Sequence, residues 1–538
     1  MTLFKKVEDK FKAIPDYYFL AAGIIFLIIQ GLILTHLLEN WIDIRLWDEA
    51  QYLGSGIKFF KELPASFWGP LYSLWYYILN IFSNDSINLY YLNYRLMTII
   101  PAIILFIYLY RLTTNLILSF LFSYLFLISI INLPTWPKVS HFVLIIILIA
   151  FVFIIKTEDK KNKLILATIT SIIAAYIRPE FILSFLIFFS VLLFLSIKKK
   201  LKPVRLIPVA ISFIILILLF GFPYSAGRNL TAFGQAYDKN ISLSERIENG
   251  EAKEYTDVIK DNFGNANSLL DIIINDSDKF FNHLWFNIER LPNLFFNYSE
   301  LILPTRIIKI DFRFASIILL FLLSTIPFVL FLIRKNNSTN KNQNENLFLI
   351  IGISIIFILP ELISLVLYLP RSHYLILLLP FFYTYLGPLA IFLKIKNRLA
   401  EIFIFLFFVF LSFLFLPDLS NYFNKPDFQN RKTIRFLKNL NITKEVNLLE
   451  NEGGLHFFLE DNYNRIETDS MYKPLSSFLS NKKVNIIIAT QKLNRVSILR
   501  NDSAWFGFLN NPESLGYKKI IVDREINAYL KKDLLKTN

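Results

Sequence analysis

The dominant pattern along the chain is a series of long apolar runs separated by short polar segments. A helix needs about 20 apolar residues to cross the hydrocarbon core of a bilayer. A shorter apolar stretch at 67–82 contains Gly69-Pro70 and predicts a half-buried or interfacial helix. The chain is therefore predicted to be an α-helical polytopic membrane protein. About eleven transmembrane helices are expected, at residues 18–38, 90–110, 114–132, 139–155, 163–177, 180–197, 204–221, 314–333, 347–368, 372–393 and 399–416.

Lysine and arginine predict the orientation of these helices. Cytoplasmic loops of membrane proteins carry an excess of basic residues. If the N-terminus, with Lys5 and Lys6, lies in the cytoplasm, every strongly basic short loop falls on that side. An odd number of spans then leaves the C-terminus outside. The predicted location is the plasma membrane of a bacterium, with the N-terminus cytoplasmic.

Two long segments are predicted on the extracytoplasmic side, besides the first loop at 39–89. One is the loop 222–313 and the other is the tail 417–538, which is long enough for a soluble domain. Residues 1–416 then form the transmembrane domain. Apolar runs in the tail predict strands at 446–449, 484–489 and 520–522, and helices are predicted near 429–440, 474–480 and 524–534. This alternation favours a small C-terminal α/β domain.

Composition supports a membrane protein. Of 538 residues, 55% are hydrophobic and 18% are charged, whereas a soluble domain carries about 25% charged residues. The net charge of +14 resides mostly in the predicted cytoplasmic loops, so no nucleic-acid partner is expected. The absence of cysteine excludes disulfides, thiolate metal sites and a cysteine nucleophile.

The strongest polar cluster follows the first predicted span, where residues 41–53 read as an interfacial helix. Trp47 and Tyr52 suit the headgroup level, and Asp48 and Glu49 are adjacent acids. On a helix, neighbouring side chains point about 100° apart, so the two carboxylates are expected to have different roles. The alternative is a solvated first turn of an interfacial helix.

A second cluster is the turn between the fifth and sixth spans. Pro179 breaks the chain there, and Arg178 and Glu180 place one cation and one anion at membrane depth. A functional site is one interpretation. The alternative is an ion pair that holds the helical hairpin together.

A third cluster lies in the turn between the ninth and tenth spans. Arg371, His373 and Tyr374 are hydrogen-bond donors, and the arginine fork suits phosphate. The alternatives are headgroup snorkelling for Arg371 and an ordinary interfacial histidine for His373. Glu361, which follows Pro360 in the ninth span, is expected to be buried beside one of these cations.

All three clusters fall on the same predicted face, which suits a lipid-phosphate substrate. The sequence resembles the polyprenyl-phosphate-dependent glycosyltransferases of the GT-C type, which include the protein O-mannosyltransferases and the aminoarabinose transferases of lipid A. The resemblance covers roughly residues 15–416. It depends on WDEA at 47–50, GPLY at 69–72, IRPE at 177–180 and PRSHYLILLLP at 370–380.

The resemblance implies an enzyme that transfers a sugar, with inversion, from a polyprenyl-phosphate donor to a hydroxyl of a lipid, glycan or protein acceptor. It makes Asp48 the general base, with Glu49 as its partner. The donor phosphate is expected near Arg371 and Arg178. The remaining residues assigned to the site are His373 and Tyr374 beside the phosphate, and Glu180, Glu361, Tyr52 and Tyr72 as supporting residues.

Metal dependence and two other functions stay open. Oligosaccharyltransferases of this superfamily complete a metal site with a second acidic motif in a later loop, but residues 132–141 contain no carboxylate, and His141 alone is weak support for a ligand. No cofactor is predicted outright; a divalent cation, Mg²⁺ or Mn²⁺, would have Asp48 as its ligand. The other functions are a transporter or flippase of lipid-linked glycans and a non-catalytic envelope-assembly protein.

Overall fold

The computed structural model describes most of the chain in two compact units. The helical unit comprises Met1–Thr35, Pro64–Leu71 and Arg95–Asp418, and the mixed unit comprises His36–Leu63, Tyr72–Tyr94 and Leu419–Asn538. The C-terminal domain therefore forms one unit with most of the first loop. The described residues are 15–129, 131–133, 136–242, 255–297, 341–369, 372–392, 398–417, 428–468, 471–494, 496–500 and 502–535.

Helices account for nearly all regular structure before the C-terminal domain. In chain order they are α1 (Asp16–Leu34), α2 (Asp48–Ile57), α3 (Pro70–Asn80), α4 (Ser86–Thr113), α5 (Leu116–Leu127), α6 (Val139–Lys156), α7 (Lys160–Ala175), α8 (Ile182–Ile197), α9 (Ile207–Phe220), α10 (Ala226–Ser242), α11 (Tyr255–Phe263), α12 (Leu269–Asn275), α13 (Ser277–Asn297), α14 (Lys341–Leu367), α15 (Ser372–Leu375), α16 (Leu378–Phe392) and α17 (Arg398–Leu414).

Six helical segments in the described part of the chain are long and apolar enough to cross a membrane. They are Asp16–Asn40, Ser86–Thr113, Val139–Lys156, Pro179–Ile197, Pro203–Phe220 and Asn346–Leu367. The expected count of about eleven is not confirmed. The predicted span 314–333 lies outside the described residues. Helices α5, α7, α16 and α17 hold only 12, 16, 15 and 17 residues, and a 12-residue helix rises about 18 Å against a core of about 30 Å.

Small residues allow α1 to approach α4 closely. A Cβ at Gly23 would lie 2.6 Å from the ring of Phe106, and one at Gly31 would lie 2.5 Å from Ile99. The two glycines are eight residues apart, so they lie on the same face of α1. Contacts of this kind are how apolar helices pack where lipid offers no hydrophobic driving force.

The predicted C-terminal α/β domain is present. Its strands are β1 (Val446–Leu449), β2 (Tyr463–Ile466), β3 (Val484–Ala489), β4 (Tyr517–Asp523) and β5 (Ile526–Lys531), in the sheet order β2-β1-β3-β5-β4. Strands β2, β1 and β3 are parallel, and β5 is antiparallel to both β3 and β4. Its helices are α18 (Gln429–Asn439), α19 (Leu475–Asn481), α20 (Gln491–Asn494), α21 (Ser497–Arg500), α22 (Ser503–Asn510) and α23 (Lys532–Leu535).

The predicted strands at 446–449, 484–489 and 520–522 and the helices near 429–440 and 474–480 are confirmed. The predicted helix 524–534 is wrong, because residues 526–531 form β5. This strand pairs with β3 on one side and β4 on the other, so sheet hydrogen bonds outweigh the local helical pattern. Strand β2 was not predicted, since Tyr463-Asn464-Arg465-Ile466 is a short polar edge strand.

The core of the C-terminal domain is a cluster of aromatic side chains between α22 and the sheet. Trp505 is fully buried and packs against Phe508, whose ring contacts Tyr517 and Tyr529. The indole nitrogen of Trp505 donates to Asn494 Oδ1 at 3.1 Å, so its polar atom is satisfied. Burial of these large rings, together with the aliphatic side chains in the same cluster, stabilises the domain.

Trp505→Ala is expected to lower the free energy of unfolding of the C-terminal domain by about 3–5 kcal/mol, because a large buried ring is replaced by a cavity. The neighbouring Phe506 is 45% exposed, so Phe506→Ala is the matched control and should change it by less than about 1 kcal/mol. Chemical denaturation of the full-length protein in detergent measures both. Equal losses in the two variants would contradict this account of the core.

Candidate functional site

The acidic pair lies at the start of α2, in the mixed unit. Asp48 is the first residue of the helix and is exposed, whereas Glu49 is 2% exposed. The two carboxylates therefore have different environments, as their angular spacing predicts. The predicted helix 41–53 begins only at Asp48. Before it, the backbone carbonyls of Ile42 and Ile44 accept hydrogen bonds from the side chains of Tyr91 and Asn430 instead of from helical N–H groups.

Glu49 is fixed by three side chains from two other helices. Its Oε1 accepts hydrogen bonds from the hydroxyls of Tyr72 at 2.7 Å and Tyr76 at 2.5 Å, both on α3, and from Asn93 Nδ2 on α4 at 3.1 Å. Trp75 in turn donates its indole N–H to Asn93 Oδ1 at 2.9 Å. A buried charge needs such partners to offset the loss of water.

The two tyrosines remain protonated donors. Burial, together with the charge of Glu49, raises the pKa values of Tyr72 and Tyr76 well above their ordinary range. Tyr52 on α2 packs edge-to-face against Tyr72, with ring centroids 5.1 Å apart. Tyr52 and Tyr72 therefore support the position of Glu49, and sequence analysis missed Tyr76 and Asn93, which do the same.

The first loop is bound to the C-terminal domain within the mixed unit. Asp43 accepts hydrogen bonds from the backbone N–H groups of Asn430 at 2.9 Å and Arg431 at 3.0 Å. These groups belong to the first turn of α18, whose own N-cap residue, Phe428, has no polar side chain. Asp43 thus caps this helix from a distant part of the chain.

In the helical unit, Arg178 is already surrounded by acceptors and an aromatic ring. Its Nε donates to Glu180 Oε1 at 2.6 Å, and its Nη1 donates to Ser140 Oγ at 2.5 Å. Its Nη2 lies 3.3 Å from Glu361 Oε2, so Glu361 is buried as expected, but the described cation beside it is Arg178 and not a residue of the third cluster. Two carboxylates neutralise this arginine, which favours the interpretation of an ion pair that holds the hairpin.

The turn after α14 contributes Tyr374 to the same cluster. The guanidinium of Arg178 lies 5.0 Å from the Tyr374 ring centroid, a cation–π distance. The second and third sequence clusters therefore converge. Arg371 and the side chain of His373 lie outside the described residues.

Helices of the loop 222–313 hold the end of α14. Asn287 on α13 donates to the carbonyls of Val366 at 2.8 Å and Tyr368 at 3.0 Å, and His283 lies 3.2 Å from the Leu367 carbonyl. These donors satisfy carbonyl groups that a helix C-terminus leaves without intrahelical partners. One role of this loop, left open by the sequence, is to fix the turn that leads into residues 370–374.

Arg228, on α10 of the same loop, is a candidate that sequence analysis missed. Its guanidinium stacks 4.7 Å from the ring of Trp68. Among the described residues, no acceptor bonds its buried Nη1 atom. Burial raises the pKa of Tyr368, and so do the nearby Tyr374 and Glu180, whereas the positive charge of Arg228 lowers it. Nothing in the local sequence Ser-Ala-Gly-Arg marks it, because its neighbours come from distant segments.

The loop 132–141 contributes a buried cation instead of a carboxylate. Lys138 Nζ donates to the Asn132 carbonyl at 2.7 Å and lies 3.2 Å from His141 Nε2. His141 is itself 3.0 Å from that carbonyl. Within the described ranges, no three acidic or imidazole side chains converge to hold a metal ion.

No protein family model matches the sequence, and no curated protein is significantly similar to it.

Tyr76→Phe is expected to lower the free energy of unfolding of the mixed unit by about 1.5–3 kcal/mol, because it removes a hydrogen bond to a buried carboxylate. Tyr77 on the same helix packs its ring against Phe59 and Phe60, so Tyr77→Phe is the matched control and should be nearly neutral. Thermal unfolding of the full-length protein in detergent compares them. A neutral Tyr76→Phe would mean that Glu49 does not need this donor.

Proposed function

We propose that this chain is an integral-membrane glycosyltransferase that moves a sugar from a polyprenyl-phosphate donor to an acceptor hydroxyl on the extracytoplasmic face. The observation that carries the proposal is the difference in environment between the two adjacent acidic residues, Asp48 and Glu49. Glu49 is buried and fixed by Tyr72, Tyr76 and Asn93, while Asp48 is exposed on the same first turn. Glu49 thus anchors α2, and we assign the role of general base to Asp48.

The proposed reaction is a single displacement at the anomeric carbon of the donor sugar. The acceptor oxygen attacks the anomeric carbon, its proton passes to Asp48, and the bond between that carbon and the phosphate oxygen breaks with departure of polyprenyl phosphate. A general base on one side and cations at the leaving phosphate supply the necessary assistance. Attack opposite the leaving group inverts the anomeric centre.

The membrane topology in this proposal agrees with the contacts of the mixed unit. Residues 36–63 and 72–94 belong to one compact unit with the C-terminal domain, so both must lie on the same side of a bilayer. The chain between 86 and 419 must then cross an even number of times. The described part of that interval contains five segments long and apolar enough to cross, so the proposed topology needs at least one further crossing if all five cross.

The donor phosphate is assigned to Arg228 together with Arg371. Arg178 is a weaker choice than the sequence indicates, because Glu180 and Glu361 already offset its charge. Arg228 packs on Trp68, and its Nη1 has no acceptor within the described part of the chain. A phosphate oxygen is the kind of partner that such a guanidinium binds strongly.

A transporter of lipid-linked glycans is the second candidate. The observation in its favour is Glu361, a fully buried carboxylate in a long apolar helix directly after Pro360. Intramembrane charges of this kind often mark transport pathways. Its pairing with Arg178 fits a structural role of Glu361 equally well. The experiment below therefore distinguishes transport of the lipid from sugar transfer.

Asp48→Asn is expected to reduce transfer by about 10²–10⁴-fold, because the general base is lost while the side-chain size is kept. The full-length protein in nanodiscs would be assayed with a panel of radiolabelled polyprenyl-phosphate hexoses and pentoses, following release of polyprenyl phosphate. Glu62 is an exposed acid in the same loop, so Glu62→Gln is the control and should retain activity.

Full transfer by Asp48→Asn would reject Asp48 as the base. If the wild-type protein moves the labelled lipid between leaflets but forms no glycosidic bond, the transporter is favoured.

Arg228→Gln is expected to raise the KM for the donor by about 10-fold or more, because a charge-assisted hydrogen bond to phosphate is lost. Inhibition by sugar-free polyprenyl phosphate should weaken in parallel. Arg290 also stacks on an aromatic ring, 4.2 Å from Phe286, but bonds to Asn240, so Arg290→Gln is the matched control. Equal effects of the two substitutions would remove Arg228 from the phosphate site.

A further inference from the structure

The C-terminal domain contains a buried carboxylate that organises a tight turn. Glu450 is fully buried, and its carboxylate accepts hydrogen bonds from the backbone N–H groups of Glu452 at 2.5 Å, Gly453 at 2.9 Å and Gly454 at 3.2 Å. Arg465 Nε lies 3.2 Å from the same group. The carboxylate thus fixes the path of residues 450–454, named here the Glu450 turn.

The Glu450 carboxyl group is ionised at neutral pH. Burial alone would raise the pKa of Glu450, but His456, Arg465 and the backbone amides together hold it below its usual range. An ionised acceptor makes stronger hydrogen bonds to N–H groups than a neutral one. The ionised carboxylate therefore strengthens the hydrogen bonds that hold residues 450–454 in this conformation.

This turn contacts the backbone immediately before Asp48. The carbonyl of Gly453 accepts a hydrogen bond from the Trp47 N–H at 2.8 Å. A Cβ at Gly453, whose φ is +78°, would lie 2.7 Å from the Trp47 ring, and one at Gly454 would lie 2.9 Å from Ala50 Cβ. Only glycine permits this approach without displacing the start of α2.

Trp47 needs such support because its backbone is in a sparsely populated region. Its φ is +67° and its ψ is −131°, which for a residue with a Cβ costs about 1–3 kcal/mol. That conformation sets the direction in which α2 begins, and hence the position of Asp48 in its first turn. The hydrogen bond to Gly453 and the packing of the indole on the turn offset the strain.

The contact continues along α2, so the helix is fixed in rotation as well as at its start. Gly54 lies four residues after Ala50, on the same face. A Cβ at Gly54 would lie 2.3 Å from the ring of Phe457. The segment 450–457 of the C-terminal domain therefore touches one face of α2 at two successive turns.

We propose that the Glu450 turn is a positioning element of the active site, through which the C-terminal domain holds Trp47 and thereby places Asp48. Glu450 and Gly453 act through Trp47 and do not touch substrate. The inference rests on the proposed role of Asp48 as base. A displacement of a reacting group by about 1 Å can cost about 100-fold in rate, so small movements of α2 suffice to matter.

A matched pair of glycine substitutions separates positioning from general destabilisation. Gly453→Ala adds a methyl group against Trp47. Gly516→Ala meets the same strain, since φ is +80°, but no heavy atom lies within 4 Å of its Cβ position. Both variants should lose about 1–2 kcal/mol of stability from the backbone alone. Only Gly453→Ala should move Asp48.

The first readout does not depend on activity. The chain contains no cysteine, so Asp48→Cys introduces a single thiol at the position in question. Its rate of reaction with a cationic methanethiosulfonate reagent is measured on the full-length protein in nanodiscs. The rate should change about threefold or more when Gly453→Ala is added, and stay within about twofold with Gly516→Ala.

The second readout is transfer with the donor used most efficiently in the panel above. Gly453→Ala should lower kcat by about 10-fold or more while the KM for the donor stays within about twofold, because the base is misplaced and the phosphate site is not. Glu450→Gln should do the same and serves if Gly453→Ala does not fold. Glu513→Gln, which weakens an exposed ion pair with Lys532 elsewhere in the same domain, should be neutral.

The outcomes are distinct for the two proposals. If Asp48→Asn abolishes transfer but Gly453→Ala and Glu450→Gln do not change kcat, the positioning role is overturned and the proposed function stands. If Asp48→Asn is fully active, the proposed base is rejected, and thiol reactivity alone decides whether the Glu450 turn places residue 48. Equal thiol rates in all backgrounds overturn the inference in either case.

Discussion

A carboxylate removed from water must be compensated, and this constraint connects the distant parts of the molecule. Glu49 draws Tyr72 and Tyr76 from one helix and Asn93 from another. Glu450 draws three backbone N–H groups and Arg465. Because an isolated buried charge is so unfavourable, each carboxylate specifies which segments must meet around it.

In the helical unit, Glu361 on α14 lies beside Arg178, in the turn between α7 and α8. Arg178 also bonds Ser140 and faces Tyr374, so side chains from other parts of the helical unit gather around one cation. A residue that reads as a ligand for phosphate is used to join helices. This is why Arg228, which keeps a buried Nη1 without a described acceptor, is the better candidate for an external anion.

Several features of this arrangement could be read from the sequence. The long apolar helices, the C-terminal α/β fold and the strands β1, β3 and β4 follow from hydrophobic patterns. The separation of Asp48 from Glu49 follows from helix geometry. The strand β5 did not follow, because INAYLK becomes a strand only through pairing with β3 and β4. Tyr76, Asn93 and Arg228 were missed for the same reason: their partners are remote in sequence.

The sequence by itself indicated an α-helical protein with helices suited to a membrane, because its apolar side chains occur in runs long enough to cross a bilayer, and its basic residues favour one orientation. It also determined which residue types could carry chemistry. The tertiary structure decided which carboxylate is buried, which arginine is neutralised, and that Gly453 and Gly454 lie against Trp47 and Ala50. Most of these outcomes depend on contacts between segments that are separated in sequence, by 23 residues for Glu49 and Tyr72 and by far more for Trp47 and Gly453, which no local pattern encodes.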